Sequence, residues 1–400
     1  MNRRLLELII RNKLFLFALI LAAFNLRPGI TSVSPVLQGI TNELGMSSAS
    51  ASLLTSIPLL CFGFCSLFAG RLANRYQLEK TITFFIAFIG IVTFLRVFTN
   101  SSIYLLITAL FIGAGIGIVS PLLSGFIKSH FPEKAASMIG IYSTSMVVGA
   151  SISIGLTSPL QHWLNNSWKN GLAFWSILAL IAAPLWLMVI KQSHTQTASQ
   201  KRNASLPLKN KKAWLLTSFV GLVTLMFYCF AAWLPAIVEE KGWTSAFGGL
   251  VGTIAMIAQL PATLLLPSLL KKLPSRRLWI IIFTLSVMTG LSLLCFTNVT
   301  PIVSSICLGI GSGGLVSLTL LLPIDKASSP MEASTWSAMT QAIGYMIGAT
   351  GPFIIGFLHD FLGSFVPTLY LLICLGFIVM LLGWKITKPV HAKGDGVSVK

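Results

Sequence analysis

Residues 13–38 read KLFLFALILAAFNLRPGITSVSPVLQ, an apolar run whose interior carries one charge, Arg27. A helix needs about 20 apolar residues to cross ~30 Å of hydrocarbon, and this run supplies them. Arginine keeps its proton inside proteins, and at the centre of a spanning helix its guanidinium costs about 2.5–3.5 kcal/mol even on the lenient insertion scales. No acidic residue lies at comparable depth elsewhere in the chain. The counter-charge is therefore either a set of dipoles and waters or an anion that comes and goes, and the second possibility makes Arg27 the first candidate functional residue.

Apolar runs of spanning length recur along the whole chain, at 13–38, 49–70, 81–98, 102–127, 135–160, 170–190, 213–238, 246–270, 278–296, 301–323, 333–358 and 366–386, here spans 1 to 12. They are continuous rather than alternating, which excludes a transmembrane barrel and predicts an all-α integral membrane protein of twelve helices. Composition agrees: 55% of the 400 residues are apolar and 10% charged, against about 25% charged in a soluble domain. The net charge of +18 does not point to nucleic acid, because it is topological. With the N-terminus in the cytoplasm, 24 of the 28 Lys and Arg fall on the inner side, all except Arg27, Arg96, Lys169 and Lys241. This is the positive-inside bias, and its basic flanks are expected to meet anionic lipid headgroups. The basic N-terminal flank leads into a run with no small-residue cleavage site, so span 1 is expected to be retained, with both termini cytoplasmic. The six cysteines, Cys61, Cys65, Cys229, Cys295, Cys307 and Cys374, all lie in spans, where thiols behave as small hydrophobes. Cys61 and Cys65 share a helix face, but no His or acid stands near them, and neither a metal nor a cofactor is expected.

Residues 191–212 form the only long polar stretch between spans, dividing the chain into bundles at 1–190 and 213–386, a linker at 191–212 and a tail at 387–400. The halves resemble each other at an offset near 196–200. Pro35 answers to Pro235, Glu43-Leu44-Gly45-Met46-Ser47 to Glu240-Lys241-Gly242-Trp243-Thr244, and Gly113, Gly115 and Gly117 to Gly309, Gly311 and Gly313. Such internal symmetry, with a site near the midplane between repeats, is expected of secondary transporters.

Gly70-Arg71-Leu72-Ala73-Asn74-Arg75-Tyr76, between spans 2 and 3, resembles the cytoplasmic signature of the major facilitator superfamily. Asn74 stands where the family usually has Asp, and Gln77 and Leu78 replace the Gly and Arg that normally follow. The resemblance implies a gating role for Gly70, Asn74 and Arg75, with a latch between halves that must use hydrogen bonds in place of the missing carboxylate. Asn25-Leu26-Arg27-Pro28-Gly29-Ile30-Thr31-Ser32-Val33-Ser34-Pro35-Val36-Leu37 is similar to the first helix of the cyanate and 2-nitroimidazole transporter family. That likeness implies a small, compact, polar or anionic solute moved by alternating access.

On a helix, residues i, i+4, i+7 and i+11 share a face, so Arg27, Thr31, Ser34 and Gln38 form a polar stripe expected to face a central cavity. Pro28 removes a backbone donor and Gly29 permits bending, which predicts a kink where Asn25 and Arg27 could clamp an anion. The repeat-equivalent residue in the second half, Phe227, is uncharged. One cation opposite aromatic and amide groups suits a monovalent anion or a polarised neutral ring and disfavours a dianion. Further candidates for substrate contact are Tyr142, Tyr228, Gln259, Trp336, Gln341 and Tyr345, although polar side chains in spans also serve as helix–helix glue worth ~0.6 kcal/mol. No deep carboxylate is present, which leaves Glu239 and His359, near outer ends, as candidates for proton coupling unless the substrate's own weak-acid chemistry carries the proton or the protein is a uniporter or exchanger. The reading is a monomeric carrier of a small anion such as cyanate, the alternative being efflux of 2-nitroimidazole-like compounds. A membrane enzyme would need a nucleophile, base or metal cluster at one depth, and the sequence holds no such grouping.

Overall fold

A computed structural model of the chain describes residues 3–193, 207–296, 301–326 and 330–387. Most of the expected linker and nearly all of the expected tail lie outside the described residues. Every described element is a helix or a turn, and twelve helices are long and apolar enough to span a bilayer. They run Arg11–Leu44, Ser48–Tyr76, Leu78–Phe98, Ser102–Ile127, Ser137–Trp163, Trp168–Gln192, Lys211–Glu240, Ser245–Lys272, Arg276–Cys295, Pro301–Pro323, Trp336–Leu362 and Val366–Ile386. Most extend a few residues past the apolar runs, because a helix continues until a cap ends it, whereas hydropathy marks only the hydrocarbon. Hydroxyl caps start several of them: Ser47, Ser101, Ser167 and Thr244 accept from Ser50, Tyr104, Asn170 and Phe247 backbone N–H groups, satisfying donors a helix start leaves open. Large apolar side chains such as Phe84, Ile103, Leu180 and Leu381 point outward, as expected of a surface that lipid covers.

The duplication is visible in the packing. A Cβ at Gly113 or Gly117 of span 4 would lie 2.3 Å from Pro58 or 2.9 Å from the Cys61 carbonyl of span 2. Their counterparts on span 10, Gly309 and Gly313, would meet the Ala255 and Gln259 carbonyls of span 8 at 2.3 and 2.5 Å. Only glycine lets these backbones approach so closely. Acidic residues repeat their roles too. Glu43 ends span 1 and binds the start of span 6 through Trp168 Nε1 (2.5 Å) and Lys169 (2.9 Å), while Glu240 ends span 7 and accepts from Ser364 Oγ (2.9 Å) at the start of span 12.

The two sets of six helices meet mainly through span 2 against span 11 and span 5 against span 8. Hydrogen bonds join them at the end far from the chain termini. Ser34 Oγ donates to the Ala232 carbonyl (2.7 Å), Ser245 Oγ to the Pro35 carbonyl (2.8 Å) and Thr253 Oγ1 to the Ser151 carbonyl (3.2 Å). Asp360 accepts from the Ser48 and Ala49 backbone N–H groups, 2.7 Å each, at the exposed start of span 2. At the terminal end no hydrogen bond crosses between halves among the described residues. Gly70, Asn74 and Arg75 are exposed there, and Arg75 lies over Tyr76 of its own helix.

Candidate substrate site

Span 1 does not run as one helix, and the break is sharper than a kink. The first helix ends at Asn25, a one-turn helix covers Pro28–Thr31, a 3₁₀ turn covers Ser34–Val36, and Leu37–Leu44 completes the crossing. Pro28 cannot donate into the preceding turn, and Gly29 fits only because it lacks a Cβ, which would sit 2.7 Å from Ile112 Cγ2 of span 4. The Arg27 carbonyl opens the short helix, accepting from Ile30 N, Thr31 N and Thr31 Oγ1 at 3.0, 3.0 and 2.9 Å, whereas the carbonyl that Pro28 leaves without its usual donor is that of Phe24. Because the helix is broken, the expected four-residue stripe divides. Arg27 and Thr31 stay together, Ser34 turns into the contact with span 7, and Gln38 is exposed at the far end.

The half-buried guanidinium of Arg27 crosses the gap between halves, where Nη1 donates to Tyr228 Oη at 3.3 Å. Around that contact stands an aromatic wall. Tyr228 packs edge-on against Phe227 with ring centroids 5.0 Å apart and lies 6.3 Å from Tyr345 of span 11, which in turn sits 4.5 Å from Phe62 of span 2. Leu59 and Ala349 fill the space behind. Thr31 Oγ1 shares a 2.6 Å hydrogen bond with Ser153 Oγ of span 5, and Tyr142 Oη one of 2.7 Å with Ser120 Oγ of span 4. Tyr142 and Tyr345 lie within electrostatic range of Arg27. Among the described residues, no carboxylate forms an ion pair with Arg27. A cation presented to aromatic faces and phenol hydroxyls, with no fixed counter-charge, is a setting in which a small anion or the negative end of a polarised ring gains a partner.

The structure thus brings Arg27, Thr31, Tyr228 and Tyr345 together, with Tyr142 nearby. Asn25 is buried two residues back along the chain from Arg27, and its Nδ2 has no partner among the described residues. Gln259 is buried and donates to Met256 Sδ (3.1 Å), Trp336 lies inside the large apolar core, and Gln341 is exposed one turn toward the terminal end from Tyr345. These three are not joined to the Arg27 cluster. Glu239 and His359 sit at the far-end seam, where His359 Nδ1 meets Ser48 Oγ (3.0 Å) and Nε2 faces Glu240 (3.5 Å). Sequence reasoning missed Phe62, Ser153 and Arg96. The first two carry no signal in an apolar helix, but Arg96 does, since it is a second charge inside the run 81–98.

The sequence profile of the Major Facilitator Superfamily matches residues 16–349. The chain belongs to this superfamily. It is therefore a membrane transporter, and the resemblance carried by residues 25–37 and 70–76 holds at the level of the whole chain. An uncharacterized transporter, YycB of Bacillus subtilis, is 35% identical over 361 residues, covering 89% of each chain. The 2-nitroimidazole transporter of Escherichia coli is 31% identical, covering 88% of this chain and 90% of its own. The cyanate transport protein CynX of the same organism is 27% identical, covering 88% and 91%. A crystal structure of the nucleoside transporter NupG superposes with a TM-score of 0.74 at 13% identity, covering 95% of this chain and all of that one, which supports the fold alone.

Proposed function

We propose that the chain moves a small, monovalent anion of cyanate-like chemistry across the membrane by alternating access, with Arg27 as the binding cation. The observation that carries this reading is the Arg27–Tyr228 hydrogen bond, because it joins the two halves through a cation that no carboxylate among the described residues neutralises. A solute bound there would touch both halves and bias their relative position, as a carrier requires. If positive-inside bias orients the chain, the hydrogen-bonded far end is external and the site is approached from the cytoplasm. A second reading is efflux of 2-nitroimidazole-like compounds. The aromatic wall of Phe62, Tyr228 and Tyr345 favours it, since flat polarised rings pack against aromatic side chains. Coupling to protons through Glu239 or His359 belongs to either reading, and those residues would act at the seam rather than on the solute.

The test is uptake of labelled cyanate and of 2-nitroimidazole into proteoliposomes, with wild type and Arg27→Ala, with and without a proton gradient. Cyanate uptake abolished by the substitution supports the anion reading. Transport of the azole alone transfers the proposal to the second reading, and transport of either by Arg27→Ala at the wild-type rate rejects Arg27 as the binding cation. Orientation is tested by thiol labelling of intact cells at Ser199→Cys, outside the described residues, and at Asn100→Cys. Thr99, the more obvious reporter on that loop, is fully buried with its hydroxyl on the Arg96 carbonyl and cannot serve.

A further inference from the structure

Arg96 closes span 3 in a short 3₁₀ turn, Arg96–Phe98, and its side chain is 0% exposed. It makes no ion pair among the described residues. Its guanidinium instead donates from Nη1 to the Gly29 carbonyl (3.0 Å) and from Nε to Thr108 Oγ1 (3.3 Å), while Nη2 has no partner among the described residues. Thr108 spends its own proton on the Leu105 carbonyl (2.6 Å), so its lone pairs are free to face the guanidinium. Burying a permanent cation without a carboxylate is expensive, and a well-packed apolar side chain would usually serve stability as well or better. The repeat offers that comparison: at the same offset the second half has Ser292-Leu293-Leu294-Cys295-Phe296, with no charge. The scaffold therefore does not require a cation at the end of this helix.

What it does require is a partner for the broken backbone of span 1. In a regular helix the Gly29 carbonyl would accept from Val33 N–H, but Val33 N turns to the Ile30 carbonyl (3.4 Å). The Gly29 carbonyl is left open in an apolar surrounding, two residues from Arg27, and Arg96 takes it. We propose that Arg96 is a positioning residue for transport: by holding the Gly29 carbonyl it keeps span 1 broken and fixes the direction in which Arg27 is presented to Tyr228 and the solute. This rests on Arg27 being the binding cation, and it explains why a buried arginine appears in the half that carries the broken helix and not in the other.

The experiment compares Arg96→Gln, Arg96→Lys, Thr108→Val, Arg27→Ala and the Arg27→Ala/Arg96→Gln double variant in proteoliposomes, using cyanate and 2-nitroimidazole as probes. It also follows backbone hydrogen exchange of residues 26–33 in the detergent-purified full chain. Losing a hydrogen bond from a charged donor predicts a KM about tenfold or more higher for Arg96→Gln with a smaller change in Vmax, and about tenfold faster exchange confined to that segment. Lysine restores part of both. The double variant is expected within about twofold of Arg27→Ala alone, because a residue acting through Arg27 has nothing left to position. Unchanged exchange at residues 26–33 overturns the proposal, as do defects that multiply in the double variant. If Arg96→Gln does not fold, Thr108→Val carries the same comparisons with effects about threefold in size. If Arg27→Ala transports both probes normally, the binding-cation reading fails, and the exchange measurement still decides whether Arg96 holds the break.

Discussion

Spans 1 and 7 are the same element of a duplicated plan, yet they fold differently. Span 7 is one continuous helix, Lys211–Glu240, and tolerates Pro235 within it; span 1 stops at Asn25, restarts at Pro28 and tightens again at Ser34–Val36, although Pro35 matches Pro235. The decisive difference is three residues, Arg27-Pro28-Gly29 in place of Phe227-Tyr228-Cys229. Proline alone does not break a spanning helix when neighbouring groups satisfy what it releases. In span 1 the short helix starts with Ile30 and Thr31 on the Arg27 carbonyl, and the Gly29 carbonyl, which the break leaves without its helical donor, is taken by Arg96. The lesson is a division of labour: one wall of the site carries charge on a broken helix held by polar partners, and the opposite wall carries aromatic surface on a straight one.

The strongest way to break this asymmetry is to abolish it. Phe227→Arg would place a further cation in half-buried, spanning apolar surroundings next to Tyr228, with no carboxylate among the described residues to receive it. Uncompensated buried charges cost about 3–5 kcal/mol, so the variant is expected to lose about two to three orders of magnitude in transport of a monovalent anion. Uptake assays on the reconstituted protein check this, and near-normal transport would mean the two walls are interchangeable. Removing the charge, with Arg27→Ala, is expected to lower kcat/KM for the anion by about 100-fold, in line with loss of a charge-assisted hydrogen bond and its field.

A smaller perturbation addresses the break rather than the charge. Gly29→Ala would press a methyl group to 2.7 Å from Ile112 Cγ2, so either span 4 yields or the short helix Pro28–Thr31 rotates. Overpacking of this kind costs about 1–3 kcal/mol, and transport is expected to fall about tenfold. Ile112→Leu, which removes the clashing β-branch methyl Cγ2 at conserved side-chain volume, is expected to recover most of the loss in the double variant. Failure of that rescue would show that Gly29 matters for backbone freedom rather than for close approach. Tyr228→Phe probes the straight wall: it keeps the ring and removes the oxygen that receives Arg27, and KM is expected to rise about threefold to tenfold.

How much of this was legible in the sequence follows from the same contrast. Arg27 announces itself because a charge in an apolar run is costly wherever it sits, and twelve spans and a twofold repeat of six follow from length and patterning. The glycine correspondence of 113, 115 and 117 with 309, 311 and 313 was readable as a pattern, and its meaning is close helix contact. The aromatic wall was not legible, because Phe62 in span 2 looks like any other lipid-facing or core residue until Tyr345 is brought within 4.5 Å of it. Trp336 and Gln341 show the converse. Their type suggested a site, but helical rise puts them one or more turns from Tyr345, toward the terminal end. Arg96 stands out in the sequence only as one of four basic residues off the inner side, and its complete burial with its guanidinium on the Gly29 carbonyl becomes visible only in the fold.

The mildest substitution separates the two walls by solute. Phe62→Leu keeps apolar volume on span 2 but removes the ring that faces Tyr345, leaving Arg27, Thr31 and Tyr228 untouched. Ring–ring contacts are worth about 0.5–1.5 kcal/mol beyond their buried area. An aromatic solute that leans on the wall is therefore expected to lose about twofold to tenfold in KM, while a linear anion held by Arg27 should lose less than about twofold. Competition between cyanate and 2-nitroimidazole in the same vesicles makes the comparison internal and independent of protein yield. If both solutes lose equally, the wall supports Arg27 as a packed unit and does not choose among solutes; if only the ring suffers, aromatic surface on the straight side selects what the charge on the broken side retains.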